Sequence, residues 1–226
     1  EGPVNTFIAS SDLGRGWART GDPAAPVGEH GPFVISSRNP SKMYVAIGGI
    51  VWRSDDGGTT WGAKPFRSGT GVPALDIQRI EGLAIDPDEQ DRVWASDGAT
   101  IWFTEDGGES WTDHDLVEGA GSLEGLAVNK PIGGATRMVS MVVDDSGETT
   151  GAIVSTDAGK SYKVEKVDDV AGRVTGLGAN LNRPDWVITT EDQNENGTRQ
   201  GIYRGFPGKG KLAAIEDAPG SYVKAR

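Results

Sequence analysis

The sequence predicts an all-β fold, a β-propeller built from four-stranded antiparallel blades, on three observations. A box of the form Ser/Thr-x-Asp-x-Gly-x-x-Trp/Tyr recurs four times, its aspartates at 12, 56, 106 and 157, hence 44, 50 and 51 residues apart. Short apolar runs recur in register with the boxes. Gly and Pro, 34 and 12 of the 226 residues, punctuate those runs without gathering into a biased tract, so they read as turns and not as disorder. A period of this length belongs to propeller blades and solenoids, in which each repeat is one supersecondary unit.

The boxes are Ser10-x-Asp12-x-Gly14-x-x-Trp17, Ser54-x-Asp56-x-Gly58-x-x-Trp61, Thr104-x-Asp106-x-Gly108-x-x-Trp111 and Ser155-x-Asp157-x-Gly159-x-x-Tyr162. An aspartate there can accept hydrogen bonds from backbone N–H groups of a tight turn. The glycine supplies a backbone angle that other residues resist, and the aromatic ring is expected to pack between neighbouring sheets. The four aspartates are therefore expected to be turn clamps.

Aligned on the boxes, each repeat yields four strands. The first is an apolar run at 33–35, 82–85, 125–128 and 176–179, suited to a buried inner strand and followed each time by Asn or Asp with Pro. The second covers 43–47, 92–95, 137–143 and 185–190. The third covers 50–53, 101–103, 151–154 and 202–204, leading into the box where one is intact. The fourth starts near the box aromatic, at 64–67, 113–117 and 163–166. The last repeat carries Phe206-Pro-Gly-Lys-Gly210 in place of a box. Blades are expected at 30–67, 80–117, 124–167 and 173–217, with a partial one at 1–22 and a last strand at 221–226. Four and a half to five blades leave the blade number open, between a five-bladed ring and part of a larger propeller closed by a missing remainder or a partner chain.

A net charge of −11 repels phosphate backbones, and no basic stripe carries interleaved aromatics, so nucleic-acid binding is excluded. The absence of cysteine rules out disulfides, thiolate metal sites and cysteine nucleophiles. No apolar run approaches the roughly twenty residues of a membrane span. Glu1 is expected to follow a processing site or an earlier part of a longer protein.

These boxes resemble those of the bacterial neuraminidase repeat, or Asp-box, family of β-propellers. Their close spacing and Asp-Gly-Gly-Thr/Ser-Trp form are similar to xyloglucanase-type glycosidases, sortilin-type receptors and photosystem II assembly-factor-like propellers. The resemblance implies blade architecture; it does not by itself transmit an activity. A sialidase reading would need an Arg-Ile-Pro motif, which is absent. The xyloglucanase resemblance implies a catalytic carboxylate where the second strand meets the third. Ala95-Ser96-Asp97-Gly98-Ala99 stands there, which makes Asp97 the matching acid, with Ser96 and Ala99 in place of the family's Arg and second Gly. A partner acid from a second propeller would be required, since glycoside hydrolysis takes two opposed carboxylates; otherwise Asp97 is a turn residue.

Variable loops on a rigid frame are where binding groups gather. The candidates are 22–31, 68–79, 97–100, 113–121, 144–150 and 191–201. In the last, Asp192, Asn194 and Asn196 reproduce the alternating oxygen donors that open a calcium loop, so calcium is the one cofactor to expect. The twelfth position, Tyr203, departs from the Glu such a loop carries. Asn196-Gly197-Thr198 also forms a glycosylation sequon. Asp144 and Asp145 mark the analogous loop one blade earlier. His30 and His114 are expected in exposed loops, and the seven tryptophans between or within blades. The expected function is a secreted or surface-associated scaffold that binds protein or polysaccharide, with a fragment of a glycoside hydrolase as the alternative.

Overall fold

The computed structural model describes residues 8–10, 12–19, 30–66, 79–115, 121–167, 172–179, 186–194, 197–205 and 212–214. Their fold is all-β. A two-stranded ribbon pairs β1 (Ile8–Ala9) with β2 (Ala18–Arg19). Four antiparallel sheets follow in chain order. The first joins β3 (His30–Ile35), β4 (Met43–Ile47), β5 (Ile50–Ser54) and β6 (Gly62–Lys64), and the second β7 (Gly82–Ile85), β8 (Val93–Ser96), β9 (Thr100–Thr104) and β10 (Thr112–Asp115). The third joins β11 (Ser122–Asn129), β12 (Arg137–Val143), β13 (Thr149–Ser155) and β14 (Lys163–Lys166), and the fourth β15 (Arg173–Ala179), β16 (Trp186–Asn194), β17 (Gly197–Gly205) and β18 (Leu212–Ala214). Each is a meander of consecutive strands, which is the blade of a β-propeller.

The box turns share one hydrogen-bonding pattern. In the second, Ser54 Oγ donates to Asp56 Oδ1 at 2.8 Å and accepts from Gly58 N at 2.9 Å, while Thr60 donates to Asp56 through N at 2.8 Å and Oγ1 at 2.6 Å. Thr104, Asp106, Gly108 and Ser110 repeat the pattern, as do Ser155, Asp157, Gly159 and Ser161. Ser10, Asp12, Gly14 and Gly16 reproduce its backbone half, since Gly16 has no hydroxyl. Two successive residues in each turn have positive φ, as at Gly57 (73°) and Gly58 (88°). Leu13 and Ala158 occupy the first of these positions in the outer two boxes, at 62° and 63°, where a side chain costs about 1 kcal/mol or more.

The chain divides into two compact units: Glu1–Asp97 with Trp102–Asp113, and Gly98–Ile101 with His114–Arg226. In the first, Tyr44, Ala46 and Val51 pack against Leu83, Val93, Ala95 and Trp102. Strand alternation explains the choice, because Ala46 faces Val51 and Leu83 faces Ala95 across their ladders. Phe66 closes this core, its ring 4.9 Å from Trp102 and 4.7 Å from the box ring of Trp111. Polar ties reinforce it: Tyr44 Oη donates to Gln90 O at 3.0 Å, Arg53 Nη1 to Gly107 O at 3.1 Å, and the buried Lys42 pairs with Asp91. In the second unit, Val139, Met141, Ala152 and Val154 meet Val174, Trp186, Ile188 and Tyr203. Burying side chains of this size stabilises by roughly 1.5–3 kcal/mol each.

Several expectations need correcting. Within the stretch 191–201, expected as a loop, residues 191–194 and 197–201 are ladder: β16 and β17 stay paired out to Asn194 opposite Gly197. Backbone pairing continues there past the apolar residues that mark the strands. His114 lies in β10, its ring 4.4 Å from that of Tyr162, and residue 30 begins β3. Trp17 is 62% exposed, whereas Trp94, Trp102, Trp111 and Trp186 are buried. β18 (Leu212–Ala214) supplies the fourth strand of the last sheet, within the blade expected at 173–217 but at a position not assigned to a strand beforehand. The altered box at 206–210 and the strand at 221–226 lie outside the described residues.

The clamps make a pH test. The Thr60 hydroxyl, then its amide, hold the Asp56 carboxyl down at about 2 against the ordinary 3.8, and Asp12 and Asp157 are lowered likewise by the Gly16 amide and the Ser161 hydroxyl. A lowered folded-state value contributes stability that is complete above the ordinary range and is lost as pH falls from about 4 towards 2. We expect the thermal midpoint of the wild type to fall through that window. Asp56→Asn should start lower at pH 7 and fall less steeply; parallel curves would show that the clamp carboxylate is not linked to folding.

Candidate functional site

A cavity of about 720 Å³ opens in the second unit. Gly98 and Ala99 of the β8–β9 turn form part of its wall, with Gly121, Ser122 and Glu124 at the start of β11. Val143, Asp144, Asp145 and Gly147 of the β12–β13 turn, with Arg173 at the start of β15, complete it. The β12–β13 turn and the box at 155–161 sit at opposite ends of β13, roughly 20 Å apart for a strand of this length.

Local rules put each group there. The Gly98 carbonyl accepts from Leu123 N at 2.8 Å, which ties the turn to β11. Gly125 has φ 68° in a β-bulge between Glu124 and Ala127, and β15 has a matching shift between Val174 and Gly176. A bulge re-aims the strand end beside it. Here it leaves Glu124 and Arg173, one repeat apart, in contact: Arg173 donates to Glu124 Oε1 from Nε at 2.8 Å and from Nη2 at 2.7 Å. Gly121 is demanded by crowding, since a Cβ on it would stand 1.8 Å from the Val143 carbonyl oxygen.

Asp144 builds its own turn. Its Oδ1 accepts from Ser146 N (2.9 Å), Ser146 Oγ (2.6 Å) and Glu148 N (3.0 Å). Those donors, the Ser146 hydroxyl foremost, lower the Asp144 pKa and keep the carboxylate ionised. Glu148 turns away to accept from Gly172 N at 2.9 Å. Asp145 makes no hydrogen bond or ion pair among the described residues. Among the described residues the lining has no aromatic ring.

The residues singled out from sequence fall differently. The Asp-box residues sit at the turns β1–β2, β5–β6, β9–β10 and β13–β14, the last three joining third and fourth strands of their sheets. Asp97 follows β8, and its Oδ2 accepts from Trp102 Nε1 at 3.4 Å; Gly98 after it has φ 89°, the geometry of a turn. Asp192 and Asn194 lie on β16 opposite Arg199 and Gly197. Asn196, and the side chains of Asp192 and Asn194, lie outside the described residues. Among the described residues no group of three or more His, Asp or Glu is placed to hold a metal ion, and no helix is long and apolar enough to cross a membrane. Glu124 and Arg173 escaped the sequence reading. A usable signal existed for the first: Glu-Gly-Leu-Ala at 124–127 repeats 81–84 one period earlier.

Antiparallel meanders with Asp-clamped turns define a β-propeller, and the comparisons agree on that fold. No protein-family model and no curated protein matches the chain. Among solved structures, it resembles the GH74 xyloglucanase from Xanthomonas campestris, with TM-score 0.64 and 14% identity over 96% of this chain and 35% of that one. It resembles an ancestral GH74 enzyme equally, with TM-score 0.64 and 14% identity over 92% of this chain and 28% of that one. YCF48 bound to D1 peptide matches with TM-score 0.55 and 15% identity over 88% of this chain and 55% of the other. The chain thus spans about a third of the GH74 enzymes and about half of YCF48.

The crowding at Gly121 gives a direct test of the cavity wall. Gly121→Ala must displace backbone, and we expect a loss on the order of 2 kcal/mol in denaturant unfolding. Gly133→Ala, in open space but at φ 72°, should cost only about 1 kcal/mol. Equal losses would mean that the wall yields freely.

Proposed function

We propose that this chain is an Asp-box repeat propeller, secreted or surface-associated, that acts as a binding scaffold for a protein or glycan, with its site in the second-unit cavity. The observation that carries the reading is that concavity: turns between second and third strands meet inner-strand ends there, and they bring a carboxylate, Asp145, that has no partner among the described residues. The box turns, by contrast, spend their polar groups on their own backbone. The YCF48 structure, with its D1 peptide, supports the reading to the extent that a protein of this fold takes a peptide.

The alternative is a piece of a glycoside hydrolase with Asp97 as one acid, favoured by the fold likeness to GH74 enzymes. It requires a second, opposed carboxylate that a longer protein would have to supply.

Arrays of peptides and of soluble polysaccharides, xyloglucan included, test the choice. We expect ligands that lose binding in both Ala99→Trp and Ser122→Trp, which fill the cavity from two sides. Binding that survives both would remove the cavity as the site. Release of reducing ends from xyloglucan, abolished by Asp97→Asn, would establish the hydrolase instead.

A further inference from the structure

The first box has the bonds of the other three and little of their cover. Ser54, Thr104 and Ser155 are buried, as are Gly58, Gly108 and Gly159. Their counterparts Ser10 and Gly14 are half-buried and exposed, and around them Ile8 is 60% and Leu13 99% exposed. Strand count explains the difference. In the three later boxes the third strand pairs with a second strand of the same sheet. The turn before that second strand accepts the amide that follows the box aspartate. Gly57 N donates to Ser41 O at 2.9 Å, Gly107 N to Asp91 O at 2.8 Å and Ala158 N to Thr136 O at 2.9 Å. β1 and β2 hold the third- and fourth-strand places around the first box, but among the described residues β1 pairs with β2 alone. The Leu13 amide, at the position of Gly57, Gly107 and Ala158, meets no acceptor among them either. The ribbon thus carries an open strand edge, an unspent backbone donor and exposed apolar side chains.

We propose that the open edge of β1 receives a β-hairpin from a partner protein, completing a four-stranded sheet around the first box. The hairpin strand next to β1 runs antiparallel to it, the carbonyl of the hairpin turn accepts from Leu13 N, and apolar side chains cover Ile8. The intact sheets show the chemistry that fits: a second strand such as Met43–Ile47 or Val93–Ser96, almost wholly buried, led in by a polar turn. Among the described residues every first and second strand is already built into its own sheet, so neither this chain nor a second copy has one to spare. Addition of a strand to a free edge draws its affinity from backbone hydrogen bonds and its selectivity from alternate side chains. This surface lies on the first unit and is independent of the cavity in the second.

The probe is an acetylated, amidated peptide of residues 80–97 of this chain, which carries β7, β8 and the Asp91 carbonyl between them. It is titrated into the isotope-labelled full chain, with amide shifts and amide exchange followed by NMR. We expect saturable shifts at Ile8 and Leu13, and slower exchange of the Leu13 amide once the peptide is bound. Ile8→Lys, which puts a charge on the edge, should weaken binding about tenfold, the order expected when an isoleucine loses its cover. Val164→Lys makes a like change at an exposed position on the outer strand β14 and should weaken it less than about twofold. Equal weakening by the two variants would overturn the proposal in favour of general adhesion to strand edges. A Leu13 amide already slow to exchange in dilute protein without peptide would overturn it too, because this chain would then fill its own edge. Slowing that follows protein concentration would overturn it in favour of a second copy. Absence of shifts at Ile8 and Leu13 would remove the edge as a docking surface and leave the cavity reading untouched.

Discussion

The hydrogen bond between a Ser or Thr hydroxyl and an Asp carboxylate two residues later is the constraint on which the structure depends. With it in place, the hydroxyl oxygen takes the amide of the box glycine and the carboxylate takes the amide four residues beyond the Asp. Backbone N–H groups that a tight turn would leave unpaired are thereby satisfied inside the turn. The cost is two successive residues at positive φ, which two boxes meet with Gly-Gly. In the third box the ring of Trp111 goes on into the core beside Phe66, so the same turn that reverses the chain also joins one sheet to the next.

A frame fixed in this way leaves the opposite ends of the strands free to vary. At the far end of β13 the turn is again held by an aspartate, Asp144, but through one oxygen only. Its neighbour Asp145 has no structural task among the described residues. Bulges in β11 and β15 change the aim of two inner-strand ends, and Glu124 meets Arg173 across one repeat. Crowding at Gly121 makes part of that wall intolerant of any larger residue. Rigid turns and unspent carboxylates thus occur at different ends of one strand, which is how a repeat fold can hold its shape while presenting a site.

The sequence made the boxes legible because their bonding is local: donor and acceptor stand two to four residues apart, so spacing alone encodes the geometry. The inner strands were legible because they are short and apolar. β16 and β17 ran beyond their expected ends because ladder hydrogen bonds need no apolar side chain, and Glu191–Asn194 stay paired without one. Trp17 was expected to be packed and is exposed; what a box ring touches depends on a neighbouring sheet that its own motif does not specify. Asp144 and Asp145 could be flagged as a loop, but Arg173 could not be joined to Glu124, because a bulge rather than a motif brings them together.

Amide hydrogen exchange tests most directly the division between a clamped end and a presenting end. Gly108, Ser110, Gly159 and Ser161 donate to box side chains, whereas the exposed Asp145 stands in the turn that walls the cavity. We expect the box amides to exchange as slowly as those of β12 and β13, and the Asp145 amide to exchange faster by orders of magnitude. Box amides that exchange as fast as Asp145 would contradict the view that the boxes hold the frame.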